Sequence, residues 1–415
     1  MDWDDVDRAV ADGTEDAFAL LERLVAQPST VGNEAGAQEV LADALADLGF
    51  TLTRLPIPDD IVDHPAAGLP QRPYTDRYDL IGQRGEATGP SLVVNGHIDV
   101  VPAEDTSRWS HPPFQPVRAD GWLYGRGSGD MKAGFAAGVL ALRALDTAAP
   151  GWLTGRLTVV SAIEEECTGN GTLAAGLAGY TADAALLLEP TDLDVLLGGV
   201  GIIWVDIEVE GRAAHAYVAA SVVNPVLAAQ PVLTALRDFE RQLNADHTDP
   251  AFAALDHPYT VNVGTFHSGD WASSVPAVAG LGVRIGHPRS WTADDALARV
   301  RDVVDKACAA DPWLAEHPPT VRLSGYRVQG HALPADAPLA GQVAAAHRHA
   351  HDTEPARITL GSTTDARYYL NQFDMPAVAY GPRTRNIHGT DEAVELASIV
   401  ATARTVTRFL VGYFR

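Results

Sequence analysis

Five short stretches of this sequence carry side chains suited to gather around a cation. "VVNGHIDVV" sets His97 and Asp99 two residues apart, and "GRGSGDMKAG" places Asp130 on a glycine-rich turn. "SAIEEECTGNG" runs Glu164, Glu165 and Glu166 in succession, "LLLEPT" carries Glu189, and "RNIHGTDE" holds His388. Imidazole and carboxylate together suit zinc, and also cobalt or manganese. Each piece alone has a plainer reading. An H-x-D is often a hydrogen-bonded pair, an Asp after glycine a helix cap, and a glutamate run a solvated face. Glu189 before Pro190 can simply end a strand, and His388 can precede a cap at Thr390 or Asp391. What argues for chemistry is position. Each group follows an apolar strand or the turn after it, and carboxylates gathered at the end of a buried sheet repel one another and lose solvation unless a cation joins them.

The elements that must hold these groups alternate. Residues 3 to 48 read as amphipathic helices, "DAFALLERLVAQPST" and "AGAQEVLADALADLGF", the second closed by Gly49. "DRYDLIGQRG", "PSLVVNGHIDV", "GRLTVVSAI" and "AALLLEPT" read as strands, with "DMKAGFAAGVLALRALDT" and "GTLAAGLAGY" as helices between them. Such alternation predicts an α/β domain with a mostly parallel sheet, whose ligands sit at the carboxyl ends of the strands. Near residue 200 the pattern changes. "GIIWVDIEVEG" alternates strictly, and a helix, two strands, a helix and "TVRLSGY" follow. That β-α-β-β-α-β order matches a ferredoxin-like unit. From about 335 the α/β pattern resumes and ends in a helix from about 391. The expected organisation is therefore a catalytic domain in residues 1–200 and 331–415, interrupted by an α+β lid in 201–330.

Composition narrows the function. A length of 415 residues suits two domains. A net charge of −24 argues against binding nucleic acid by neutralising phosphates. No apolar stretch reaches the roughly 20 residues that span a bilayer. The acidic start "MDWDDVDRAVADGTED" is neither a signal nor a transit peptide, so the chain reads as cytoplasmic. Two cysteines, Cys167 and Cys308, make no disulfide framework. Cys167 follows the glutamates and invites a nucleophile, but the reading here is a small packed residue. Arg284 in "GLGVRIG" is the candidate to grip a substrate carboxylate with its bidentate fork. "LGSTTDAR" offers Ser362 and Thr363 as hydroxyl and backbone donors, and leaves Arg367 to serve either substrate or fold.

Taken in order, "NGHIDVVP", "GRGSGDMKAG", "IEEECTGNG", "LEPT", "AAH" and a terminal histidine before a helix resemble the M20 metallopeptidase family, nearest its acetylornithine deacetylase and succinyl-diaminopimelate desuccinylase branch. The resemblance runs from about residue 90 to 395. It implies two divalent ions, zinc foremost with cobalt or manganese as alternatives. His97 and Glu189 would hold one, Glu166 and His388 the other, and Asp130 would bridge them. Asp99 would orient His97. Glu165 would be the general base, taking a proton from water acidified toward about pKa 7. His215, in the lid, would reach the site of a dimer partner and stabilise the oxyanion. Two departures from the family pattern stand out. Ala216 and Tyr217 follow that histidine in place of small hydroxyl residues. Ser274 occupies a substrate-contacting position where relatives carry Asn, and the run from Pro276 to Arg284 is shorter than theirs. The implied activity is hydrolysis of the amide bond of a small N-acyl amino acid by a homodimer joined through the lid. A dipeptidase or carboxypeptidase would share the same metal set, whereas a non-catalytic binder on this fold would have lost a ligand or the base.

Overall fold

The computed structural model describes residues 1–415. Its largest sheet runs Thr51–Pro56, Tyr78–Gly85, Arg156–Ala162, Ser91–His97, Ala184–Leu187, Ala377–Ala379, Val195–Gly199 and His331–Ala332, with Arg357–Leu360 also beside Val195–Gly199. The centre is parallel: Ser91–His97 lies between Arg156–Ala162 and Ala184–Leu187, and Ala377–Ala379 extends the same direction. These strands are buried and nearly continuously apolar, as parallel strands covered on both faces are. The flanks add antiparallel strands to this parallel centre. Thr51–Pro56, Tyr78–Gly85 and Arg156–Ala162 pair antiparallel, as do Ala377–Ala379, Val195–Gly199 and His331–Ala332, so the sheet is mixed. The outermost strand, "TLTRLP", has no fully buried residue and forms the edge of the sheet.

Helix Ala133–Ala148 is the small-residue helix expected from the sequence. It lies so close to the sheet that a Cβ on Gly134 would stand 1.9 Å from the Leu188 carbonyl oxygen. The first 48 residues hold three helices rather than two, Trp3–Asp12, Thr14–Val25 and Ala35–Asp47.

The second unit has its own core, drawn from residues between Val200 and Val328. Its antiparallel sheet runs Val261–Ser268, Val278–His287, Gly201–Glu210, Thr320–Val328. Ile203, Val205, Ile207 and Val209 are buried in the core shared with helices Gln230–Asp246 and Ala293–Cys308, while Trp204 and Asp206 alternate with them. Thr292 and Asp295 form a reciprocal capping box at the start of the second helix.

A third, small sheet was not anticipated. Thr384–Arg385, Ala393–Glu395, Trp122–Tyr124 and Val117–Ala119 pair antiparallel. The final helix accordingly begins at Leu396, not near 391. This sheet matters for the site, because one of its connections carries His388 and another strand leads into the turn of Asp130.

Candidate active site

His97 is the last residue of its strand and is buried. Its Nδ1 lies 3.0 Å from the backbone oxygen of Asp99, so Nδ1–H donates there and Nε2 is the nitrogen turned toward the carboxylates. That Nε2 is 3.0 Å from Asp130 Oδ1 and 3.8 Å from Glu189 Oε2. On the other side of Asp130, Oδ2 is 3.6 Å from His388 Nε2, which in turn lies 3.0 Å from Glu166 Oε1. One carboxylate thus stands between two imidazoles, each accompanied by a glutamate.

The three consecutive glutamates separate because the chain turns at once. Glu164 has a φ of +63° and points away from the others. It accepts from Tyr74 (2.7 Å), Arg77 (2.6 Å) and Thr168 (2.7 Å), all buried, and Arg77 is shared with Glu34. Glu165 and Glu166 line the same cavity as Asp130 and Glu189. Asp99 sets that turn: its two carboxylate oxygens accept the Glu165 and Glu166 backbone N–H groups at 3.2 Å each. Its carboxylate is 3.7 Å from His97 Nδ1, so it is the Asp99 backbone carbonyl that bonds the ring.

Glu165 also receives Arg367 Nη1 at 3.1 Å, and its backbone oxygen accepts the Tyr326 hydroxyl from the second unit. Arg367 is held beside Asp365 (3.2 Å), which accepts from Thr172 (2.5 Å). The sequence left Arg367 undecided; the structure joins it to Glu165. Cys167 is buried next to the Glu164 carbonyl, and burial raises its thiol well above the usual range, which suits packing rather than nucleophilic attack.

A cavity of about 350 Å³ is lined by Asp130, Glu165, Glu166, Glu189 and His388 on one side and by Arg284, Ser362 and Thr363 on the other. Arg284 is anchored through Thr260 Oγ1 (2.7 Å) and the Gly361 carbonyl (3.1 Å). His215 and Ser274 do not line this cavity. They face each other across a two-residue antiparallel pairing on the exterior of the second unit, and both are exposed. Within its own chain Ser274, like His215, therefore lies outside the lining of this cavity.

Electrostatics single out this cluster. Asp99, Asp130, Glu165, Glu166 and Glu189 crowd two imidazoles and one guanidinium. Burial opposes charge on His97, but Glu189, Asp130 and Asp99 outweigh it and raise its pKa well above the ordinary value. Glu166 above all raises His388 to about 11. Burial, reinforced by Asp365, pushes Glu165 up to about 7. Burial likewise lifts Glu189 well above the carboxylate range, although His97 opposes it. Glu189 Oε1 is buried without any hydrogen-bond partner. An orphaned buried carboxylate oxygen beside an excess of like charge is what a divalent cation satisfies, and the His/Asp/Glu donor set fits one.

Sequence reasoning missed Glu392 and Arg126. Both are buried, and together they contact the backbone of the turns bearing Asp130 and His388. The only signal was an acidic residue four positions after His388 and an arginine four before Asp130.

The family model described as Peptidase family M20/M25/M40 matches residues 93–411. The chain belongs to this family. As an M20 peptidase-family member it is a hydrolase of amide bonds, in keeping with the expectation from its motifs. A succinyl-diaminopimelate desuccinylase of Methylorubrum extorquens is 32% identical over 408 residues, covering 96% of this chain and 98% of that protein. An N-formyl-4-amino-5-aminomethyl-2-methylpyrimidine deformylase of Bacillus subtilis is 26% identical over 399 residues, covering 92% and 90%. Among solved structures, the dipeptidase Dug1p of Saccharomyces cerevisiae superposes with a TM-score of 0.80 at 15% identity, covering 99% of this chain and 98% of that one. Human carnosine dipeptidase 1 gives 0.78 at 15% identity, with 99% of each chain covered. At those identities the likeness is one of fold. No helix is long and apolar enough to cross a membrane.

Proposed function

We propose that this M20 hydrolase removes the acyl group from a small N-acylated amine bearing a carboxylate, with two divalent metal ions, zinc foremost. The observation that carries the reading is Asp130, whose two oxygens each face a different imidazole, with Glu189 beside one and Glu166 beside the other. His97, Glu189 and Asp130 would hold one ion, and His388, Glu166 and Asp130 the second. When bound, the pair supplies positive charge that acidifies water and polarises the amide carbonyl. Glu165 takes the proton of the attacking water and returns it to the departing nitrogen. Arg367 holds Glu165 at one oxygen. Arg284 grips the substrate carboxylate across the cavity, and Ser362 and Thr363 offer further donors; the Thr363 hydroxyl is buried without a partner. Relatives named for removing succinyl and formyl groups support a linear amide over a peptide chain.

His215 enters the reading through a second copy. Tyr217, Trp271 and Leu227, each at least 70% exposed, belong to the same unit as His215. Such apolar residues suit a homodimer through this lid, and the partner's lid would then present its histidine as an oxyanion donor. The catalytic part spans residues 1–200 and 331–415. Two unpaired cysteines suit a cytoplasmic setting.

The test is a hydrolysis screen of chelator-stripped protein reloaded with zinc, cobalt or manganese. The substrates are N-acetyl, N-succinyl and N-formyl amino acids beside dipeptides. Release of the free amine from N-acyl substrates in the reloaded protein is expected. Preference for dipeptides would move the enzyme to the peptidase side of the family, and failure to take up any divalent ion would overturn the reading.

A further inference from the structure

We propose that Glu392 and Arg126 are positioning residues that fix Asp130 and His388 relative to each other before any ion binds. The inference rests on the metal-site reading above. Glu392 is fully buried. Its Oε1 accepts three backbone N–H groups from the glycine-rich turn: Gly127 at 3.0 Å, Gly129 at 2.9 Å and Asp130 itself at 3.0 Å. The Glu392 backbone joins the same turn, its carbonyl accepting the Gly125 N–H at 2.9 Å. Its other carboxylate oxygen pairs with Arg126 Nη1. From there Arg126 Nη2 donates to the His388 carbonyl at 3.3 Å and to the Pro102 carbonyl at 3.4 Å. Its guanidinium lies 5.1 Å from the Trp109 ring centroid.

Three chain segments meet on this one ion pair. They are the stretch after His97, the turn of Asp130 and the loop of His388. Gly127 sits at a φ of +79°, where a Cβ would fall 2.4 Å from Val100 Cγ1, and the N–H groups of Gly127, Gly129 and Asp130 all find their acceptor in Glu392 Oε1. Neither residue lines the cavity, so neither touches substrate. Their effect on chemistry passes through where Asp130 and His388 stand. Groups that orient metal ligands typically change metal affinity by 10–100-fold when removed.

The experiment compares chelator-stripped wild type with two double variants, E392Q/R126M and E392L/R126M, by calorimetric titration with Zn²⁺ and by Co²⁺ visible absorption. Both remove the buried ion pair together, so neither strands a lone charge. They differ in that only the glutamine keeps an oxygen for the three N–H groups. The expected result is a loss of metal affinity of up to about 10-fold for E392Q/R126M, which keeps an acceptor for the Asp130 turn but loses the Arg126 donor to the His388 carbonyl, and a larger loss, toward 100-fold, with an altered Co²⁺ spectrum for E392L/R126M. Metal-free melting curves are recorded alongside, since a merely structural pair would lower both melting temperatures and leave the affinities equal. Equal affinities in the two doubles overturn the proposal while leaving the metal site standing. A wild type that binds no ions overturns both. If a double variant is not recovered folded, E392D serves: it keeps both charges but withdraws the carboxylate by one methylene. Wild-type affinity in E392D overturns the proposal, and weakened affinity supports it.

Discussion

Glu165 and Glu166 are adjacent in sequence yet share a cavity, which an extended strand would forbid because neighbours face opposite ways. The chain turns at Glu164, and Asp99 holds the turn through two amides, so both glutamates arrive on one side. This separates a base from a ligand within two residues and gives Glu165 a testable signature. Glu165→Gln should keep its divalent ions, measured as metal per chain, and lose about 10²–10⁴-fold in kcat on an N-acyl substrate. The same variant carries a pH prediction. Burial raises the folded pKa of Glu165 to about 7, above its ordinary value, so in metal-free protein the unfolded chain ionises this group first. Its contribution to stability therefore falls as pH rises from about 4.5 to about 7. A glutamine escapes that loss. Denaturant melts of the stripped proteins should show E165Q gaining on wild type across that window, and a difference independent of pH would place the raised pKa elsewhere. The ligand candidates His97, Glu166 and Glu189 were legible in the sequence because each ends or follows an apolar strand of the large sheet. Glu392 was not, because what it binds is backbone, and backbone N–H groups leave no mark on residue types.

At the level of elements, the long strands and helices were legible from their periods, whereas the small sheet that carries the His388 loop was not. Its strands are two or three residues long, too short for alternation to register. The two chain crossings into and out of the inserted unit, marked in the sequence by the change of pattern near 200 and its return near 330, share a distinct construction. His287 packs on Gly201 so tightly that a Cβ there would come within 2.1 Å of the ring, and His331 lies against Gly199. Both imidazoles are buried, and His287 Nε2 and His331 Nδ1 have no partner. Burial depresses His287 to about 4 and, with Arg367 and Arg289 nearby, His331 to about 3. A depressed histidine is neutral when folded, so the unfolded chain binds more protons between the folded pKa and about 6.5. The contribution is intact above about 6.5 and is lost as pH falls through that interval. Replacing His287 by Gln removes one such proton. The slope of unfolding free energy against pH between about 4 and 6.5 should be shallower than wild type, and an unchanged slope would show that the crossing does not titrate as described.

The whole molecule divides its chemistry from its recognition surfaces. Asp130, Glu166, Glu189 and His388 line one cavity with Glu165 and Arg284, while His215 stands outside it beside Ser274. In the proposed dimer His215 serves the site of another chain, and the exposed Tyr217, Trp271 and Leu227 would be the surface on which that chain docks. His215→Ala should keep metal and dimer yet lose about 10²–10³-fold in kcat, the usual cost of one oxyanion donor. The decisive version mixes two defective proteins. Glu165→Ala lacks a base but supplies His215; His215→Ala lacks the histidine but keeps its base. In a homodimer with sites completed across the interface, a mixed pair contains one site with both groups intact and one with neither. Random reassociation of equal amounts makes half the dimers mixed, so activity should return to about a quarter of wild type per chain after unfolding and refolding together. Each variant refolded alone should stay inactive. If His215 served its own chain, every site in the mixture would still lack one group and nothing would return; if it served neither, His215→Ala alone would hydrolyse at the wild-type rate.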